Sequence, residues 1–112
     1  MRTFEKNKAV ASAAMDQNID IVVKFMTHKS YIKADIVGHT DSTETNADDK
    51  SKARAESIRD VLVKGGIDTK RFDFVNGVGA SECATASPKE DPSCRSVDVF
   101  MFSYEKASLM FP

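Results

Sequence analysis

The chain has 112 residues, 41% of them hydrophobic and 29% charged, with five Gly and three Pro; this reads as one globular domain over residues 1–112 and excludes a disordered or multi-domain chain. Such a length buries roughly two-thirds of the surface exposed on unfolding, enough for a two-layer core and too little for a large enzyme. Sixteen Lys and Arg against seventeen Asp and Glu leave a formal charge of -1, so no overall field draws in nucleic acid or an anionic membrane.

Residues Met1 to Lys6 lack the apolar stretch of a signal peptide, and no run long enough to span a bilayer follows. The chain is expected to be cytosolic, or a domain whose export signal lies upstream. From about Ala9 to Thr27, Met15, Ile19, Val22, Val23 and Met26 form one helical stripe. Tyr31 to Val37 alternates, Ile32, Ala34 and Ile36 against Lys33, Asp35 and Val37, as a half-buried strand does, and ends at Gly38. A second helix is expected from Ala47 to Lys64, with Ala55, Ile58, Val61 and Leu62 on its apolar face. Thr45 or Asn46 caps it, Asp48 and Asp49 complement its dipole, and Gly65-Gly66 ends it. Strands are expected at Arg71–Val75 and Arg95–Phe102, the latter with Val97, Val99 and Met101 inward, and residues 2–5 suggest a short first strand. Residues 103–112 form a C-terminal tail. Two crossovers and a returning last strand predict an α+β two-layer sandwich, a mixed sheet with two helices packed on one face. Its other face carries Lys33, Asp35, Asp98, Phe100 and Phe102.

Cys83 and Cys94 flank a polar stretch with two of the three prolines. A bridge there is worth roughly 3 kcal/mol by chain entropy; two free thiols in a reducing compartment are the alternative. The two cysteines are too few to hold zinc unaided.

The densest polar constellation is Gly38-His39-Thr40-Asp41-Ser42-Thr43, followed by Ser51-Lys52-Ala53-Arg54-Ala55. A strand-to-helix turn brings Asp41 near the start of the second helix with Arg54 two turns in, so a carboxylate and a guanidinium can face one pocket. That pair suits an amphoteric ligand, ammonium on Asp41 and carboxylate on Arg54; an Asp41–Arg54 ion pair or simple turn capping is the alternative. His39, Asp41 and Ser42 are too nearly contiguous for a hydrolase relay and lack a nucleophile elbow, so no catalytic residue is assigned. His39, Asp41, Asp48 and Asp49 lack a calcium-loop pattern, and neither metal nor cofactor is expected. Gly77-Val78-Gly79 fails the dinucleotide fingerprint on context and reads as a tight strand exit.

Ile36-Val37-Gly38-His39-Thr40-Asp41-Ser42-Thr43, Ser51-x-x-Arg54-Ala55-x-x-Ile58-x-x-Val61-Leu62, Gly65-Gly66-Ile67, Gly77-Val78-Gly79 and Arg95-Ser96-Val97-Asp98-Val99 occur in this order. Across residues 36–99 the chain resembles the OmpA-like C-terminal domain that binds peptidoglycan. The resemblance implies a βαβαββ sandwich in the periplasm, part of an outer-membrane or envelope protein, gripping the diaminopimelate of the stem peptide non-covalently and without enzymatic activity. By motif, Asp41 and Arg54 hold the amino-acid end of that residue, with Thr40, Thr43, Asn46 and Arg95 around them. Some relatives carry a disulfide in the loop corresponding to Cys83–Cys94. The chain departs from the family pattern at Glu44, where Gly is usual, at Lys50, at Ala47, where Asn is frequent, and at Cys94 and Ser96 in the closing motif. Glu44 adds a negative charge at the pocket mouth, which weakens carboxylate binding or favours an amidated stem. The alternative function is a degenerate OmpA-like module for protein interaction or oligomerisation, homodimerisation included, through the Phe100 and Phe102 face.

Overall fold

The computed structural model describes residues 1, 4–83 and 91–103. Helix α1 (Asp16–His28) follows a 3₁₀ turn at Ala13–Met15. The expected stripe buries Met15, Ile19, Val22 and Met26, yet the helix starts at Asp16 and not near Ala9 as expected. A helix entering at Ala9 needs the Lys8 carbonyl for its first turn. That carbonyl instead accepts from Arg54 Nε at 2.9 Å.

Strand β1 (Ile32–Gly38) leads to helix α2 (Ala47–Lys64) and then to strands β2 (Phe72–Gly77) and β3 (Val97–Ser103). Asn46 is the N-cap of α2, in the left-handed region at φ 50, and its side chain makes no capping bond; Thr45 instead directs its N–H and hydroxyl to Asn7 Oδ1. At the other end Gly66, at φ 109, lets Ile67 N–H reach the Leu62 carbonyl and Gly66 N–H the Val63 carbonyl, a Schellman closure that also buries Ile67 beside Leu62.

The sheet order is β2-β1-β3, with β1 parallel to β2 and antiparallel to β3. The parallel pair needs a crossover, and α2 supplies it. Ile32, Ala34 and Ile36 join Ile58, Leu62 and the α1 stripe in one buried core. The opposite face holds Lys33, Asp35, Asp98, Phe100 and Phe102 as expected, together with Phe74, which lies across from Asp35. Met101 departs from expectation: it is 38% exposed. α2 packs mainly over β1 and β2, so among the described helices it gives the far end of β3 little cover. Arg71, expected to open a strand, sits in the 3₁₀ turn Thr69–Arg71. Its guanidinium donates to the carbonyls of Met26, Lys29 and Ile32, stapling the end of α1 to the start of β1. Of the short first strand expected at residues 2–5, the described residues Phe4 and Glu5 lie in no strand, and 2 and 3 lie outside the described residues. Even so, Met1 exchanges hydrogen bonds with Val97, and Phe4 N–H donates to the Arg95 carbonyl at 2.9 Å. Of the expected C-terminal tail over 103–112, Ser103 belongs to β3, and residues 104–112 lie outside the described residues.

Two glycines set how closely α2 approaches the sheet. Gly38 and Gly77 are partners in the parallel ladder. A Cβ on Gly38 would lie 1.8 Å from the Ser51 carbonyl oxygen, and one on Gly77 2.3 Å from the Lys52 nitrogen. Both obstacles are helix backbone and cannot rotate away. Gly38→Ala and Gly77→Ala are each expected to destabilise the fold by about 1–3 kcal/mol or more, the cost of overpacking. Urea unfolding of both variants measures this, and midpoints equal to wild type would contradict the close approach.

Candidate functional site

The end of β1, the turn after it and the first two turns of α2 meet at one pole of the sheet. Ser51 sits on the glycine pair and donates its hydroxyl to the Asp48 carbonyl at 2.9 Å while accepting from Gly79 N–H at 3.0 Å. One turn on, Arg54 is carried directly beneath the β1 exit and is fully buried.

A guanidinium has five N–H donors and cannot shed its charge, so burial demands five acceptors. Arg54 has them. Nε donates to the Lys8 carbonyl at 2.9 Å and Nη1 to the His39 carbonyl at 2.9 Å and to Glu44 Oε1 at 2.6 Å. Nη2 donates to the Glu5 carbonyl at 3.2 Å and to Glu44 Oε2. The Glu44 carboxylate therefore grips the guanidinium with both oxygens. Its remaining capacity takes Asn7 N–H at 2.8 Å and Asp41 N–H at 3.2 Å. The Phe4 ring closes the other side, its centroid 5.1 Å from Arg54 Cζ.

Asp41 lies beside this pair and is equally buried. Its Oδ1 accepts Thr43 N–H at 2.9 Å and the Thr43 hydroxyl at 2.7 Å. Its Oδ2 accepts Arg95 Nη1 at 3.1 Å and Asp91 N–H at 3.3 Å. The direct Asp41–Arg54 ion pair raised as an alternative does not form: Asp41 pairs with Arg95 and Arg54 with Glu44. Of the other residues singled out, Thr40 is buried and gives its N–H to the Gly79 carbonyl, and Asn46 is an exposed cap. Arg95 Nε also holds the Phe4 carbonyl at 2.6 Å.

The Cys83–Cys94 disulfide is formed, with Cα atoms 5.5 Å apart. It bears on the site because Asp91 and Arg95, two of the groups on Asp41, flank Cys94. Cys83, Asp91 and Cys94 are also the described residues that come closest to a metal-ligand cluster, but both sulfurs are spent in the bridge. Around them opens a cleft of about 400 Å³ whose lining includes His39, Glu82, Asp91, Asp98 and Phe100. His39 Nε2 donates to Asp98 at 2.9 Å, and Nδ1 lies 3.5 Å from Glu82. Among the described lining residues, three carboxylates stand against one imidazole.

Sequence reasoning placed Asp41, Thr43, Arg54 and Arg95 together, and the structure brings them together. It missed the carboxylate on Arg54 and the contribution of Glu5, Asn7 and Lys8. Glu44 carried the one usable signal, an acidic residue where the family pattern has Gly. The three backbone contacts of residues 5–8 carry no side-chain signal at all.

Burial pushes the Asp41 carboxyl up, and the hydrogen bonds from Thr43, Asp91 and Arg95 more than offset it, leaving it below its ordinary value. Burial likewise raises Glu44, and the Arg54 hydrogen bonds and charge, with Asn7 and Asp41 N–H, bring it below the ordinary value. Depressed carboxylates add stability that is complete above their unfolded values, roughly pH 4, and is lost as pH falls through the lower native values. Stability of the wild type should therefore fall as pH drops below about 4. Glu44→Gln should be less stable at neutral pH and show a shallower acid loss. Parallel acid limbs in the two proteins would remove Glu44 as a source of this dependence.

In solved structures, the OmpA-like domain of FopA1 from Francisella tularensis subsp. tularensis SCHU S4 aligns at TM-score 0.78 with 19% identity, covering 91% of this chain and 70% of that one. The peptidoglycan-associated lipoprotein from Burkholderia pseudomallei aligns at 0.79 with 14% identity, covering 90% and 88%. The C-terminal domain of Helicobacter pylori MotB aligns at 0.74 with 16% identity, covering 98% and 95%. At such identities these likenesses speak to the fold. No curated protein matches the sequence. The OmpA family model matches residues 3–95, and on that match, with the fold in agreement, the chain belongs to the OmpA family.

Proposed function

We propose that this domain binds peptidoglycan non-covalently through the diaminopimelate end of a stem peptide, in the periplasm, as the wall-anchoring part of an outer-membrane or envelope protein. The observation that carries the reading is the seat on Arg54: a desolvated guanidinium that holds a carboxylate with both terminal nitrogens, that carboxylate also accepting the backbone N–H of Asp41, whose own carboxylate is buried too. An amino acid presents those complementary charges a few ångströms apart. Its carboxylate fits the Arg54 seat, and its ammonium exchanges with Arg95 on Asp41. Thr43 keeps Asp41 ionised and aimed, and the neighbouring acidic cleft favours a cationic end over an anionic one. The chemistry of this reading is binding and orientation. The Burkholderia relative's name states peptidoglycan association, which agrees with this reading.

A second reading, protein interaction, is favoured by Phe74 and Phe100, 44% and 56% exposed, either side of Asp35 on the open sheet face. Co-sedimentation with protein-free sacculi separates the two. Truncating one partner of a desolvated charge pair costs about 2–5 kcal/mol, so folded Asp41→Ala should bind sacculi roughly 30-fold or more weakly than wild type. Arg54→Lys, which keeps the charge and loses the fork, should bind more weakly as well. Wild-type sedimentation by both folded variants would discard this pocket and leave the Phe74–Phe100 face as the functional surface.

A further inference from the structure

Glu44 behaves toward Arg54 as a ligand does. It contributes a buried carboxylate from a turn whose other residues are largely outside: Ser42, Thr45 and Asn46 are exposed and Thr43 half-buried, while Glu44 is 7% exposed. The carboxylate takes one N–H from each terminal guanidinium nitrogen and then the backbone N–H groups of Asp41 and Asn7. That is the donor set a free carboxylate needs. The other three guanidinium donors point to backbone carbonyls of Glu5, Lys8 and His39, and a visiting carboxylate has no call on them. Turning the Glu44 side chain out of the seat therefore frees one carboxylate site while the three carbonyls on Arg54 and the Thr43 bonds to Asp41 stay in place.

Resting on the reading that Arg54 receives a stem-peptide carboxylate, we infer that Glu44 is a resident competitor for that seat and is the residue that sets the specificity of this site. A ligand carboxylate enters only by displacing it, so apparent affinity is the intrinsic affinity reduced by the fraction of molecules in which Glu44 is out. A ligand whose carboxylate is amidated cannot replace Glu44 on the guanidinium, and it meets the Asp41 side of the pocket with the seat still filled.

Calorimetric titration with meso-diaminopimelate tests this on the whole chain. Glu44→Gly should bind at least about tenfold more tightly than wild type. The gain should vanish in Glu44→Gly/Arg54→Met, which removes both charges and leaves neither buried alone. Glu44→Asp keeps the charge on a side chain one methylene shorter and should fall between; it decides the matter if Glu44→Gly does not fold. Acetate that stabilises Glu44→Gly as well as diaminopimelate does would support the resident-competitor role while overturning the part given to Asp41. Folded Glu44→Gly or Glu44→Asp with wild-type affinity overturns the inference, even if wild type sediments with sacculi. Failure of every protein to sediment, with the gain for diaminopimelate intact, overturns the peptidoglycan reading alone.

Discussion

The guanidinium of Arg54 must find five acceptors without water, and that requirement organises one pole of the molecule. Its five bonds reach the N-terminal segment through Glu5 and Lys8, the β1 exit through His39, and the following turn through Glu44. Glu5, Lys8, His39 and Glu44 lie outside the helices and strands, and the Arg54 bonds add to the main-chain bonds that Phe4 makes to Arg95 and His39 to Ser96. A buried, unpaired guanidinium is far costlier than an ordered loop. The chain before α1 is consequently shaped by a residue more than forty positions away.

Placement of that side chain depends on what lies under the helix. Gly38 and Gly77 face each other in the parallel ladder and offer no side chain, so Ser51 sits directly on the strands and Arg54 follows one turn later. Asp41 is fixed independently, by Thr43 from its own turn and by Arg95 and Asp91 from across the disulfide. Glu44 links the two residues by accepting from both the Arg54 guanidinium and the Asp41 N–H.

Much of this was legible in the residues. The period-2 run in β1 and the stripe of α2 gave those elements nearly at their observed limits, because pattern and packing agree there. Gly65-Gly66 announced its helix end for the reason the structure shows, a left-handed residue at Gly66. The start of α1 was not legible, since the Lys8 carbonyl is claimed by a side chain distant in sequence. Met101 obeyed its strand alternation and still came out exposed, because alternation states a face and not whether a helix covers it. Asp41 and Arg54 were identified by type and spacing. Their actual partners, Arg95 and Glu44, depend on tertiary geometry, and Asn7 reaches the site with a backbone N–H that any residue but proline possesses.

The disulfide has a consequence for how this chain can vary. Cys83 and Cys94 lie 5.5 Å apart at Cα, and the residues that reach Asp41 from this side, Asp91 and Arg95, flank Cys94 closely. Length added between 84 and 90 is enclosed in a covalent ring whose ends cannot separate, and closure entropy grows only by about 0.6 kcal/mol for each doubling of such a span. Whatever the length of that span, the bridge holds Cys94, and with it the Asp91 and Arg95 contacts to Asp41, at a fixed reach from Cys83.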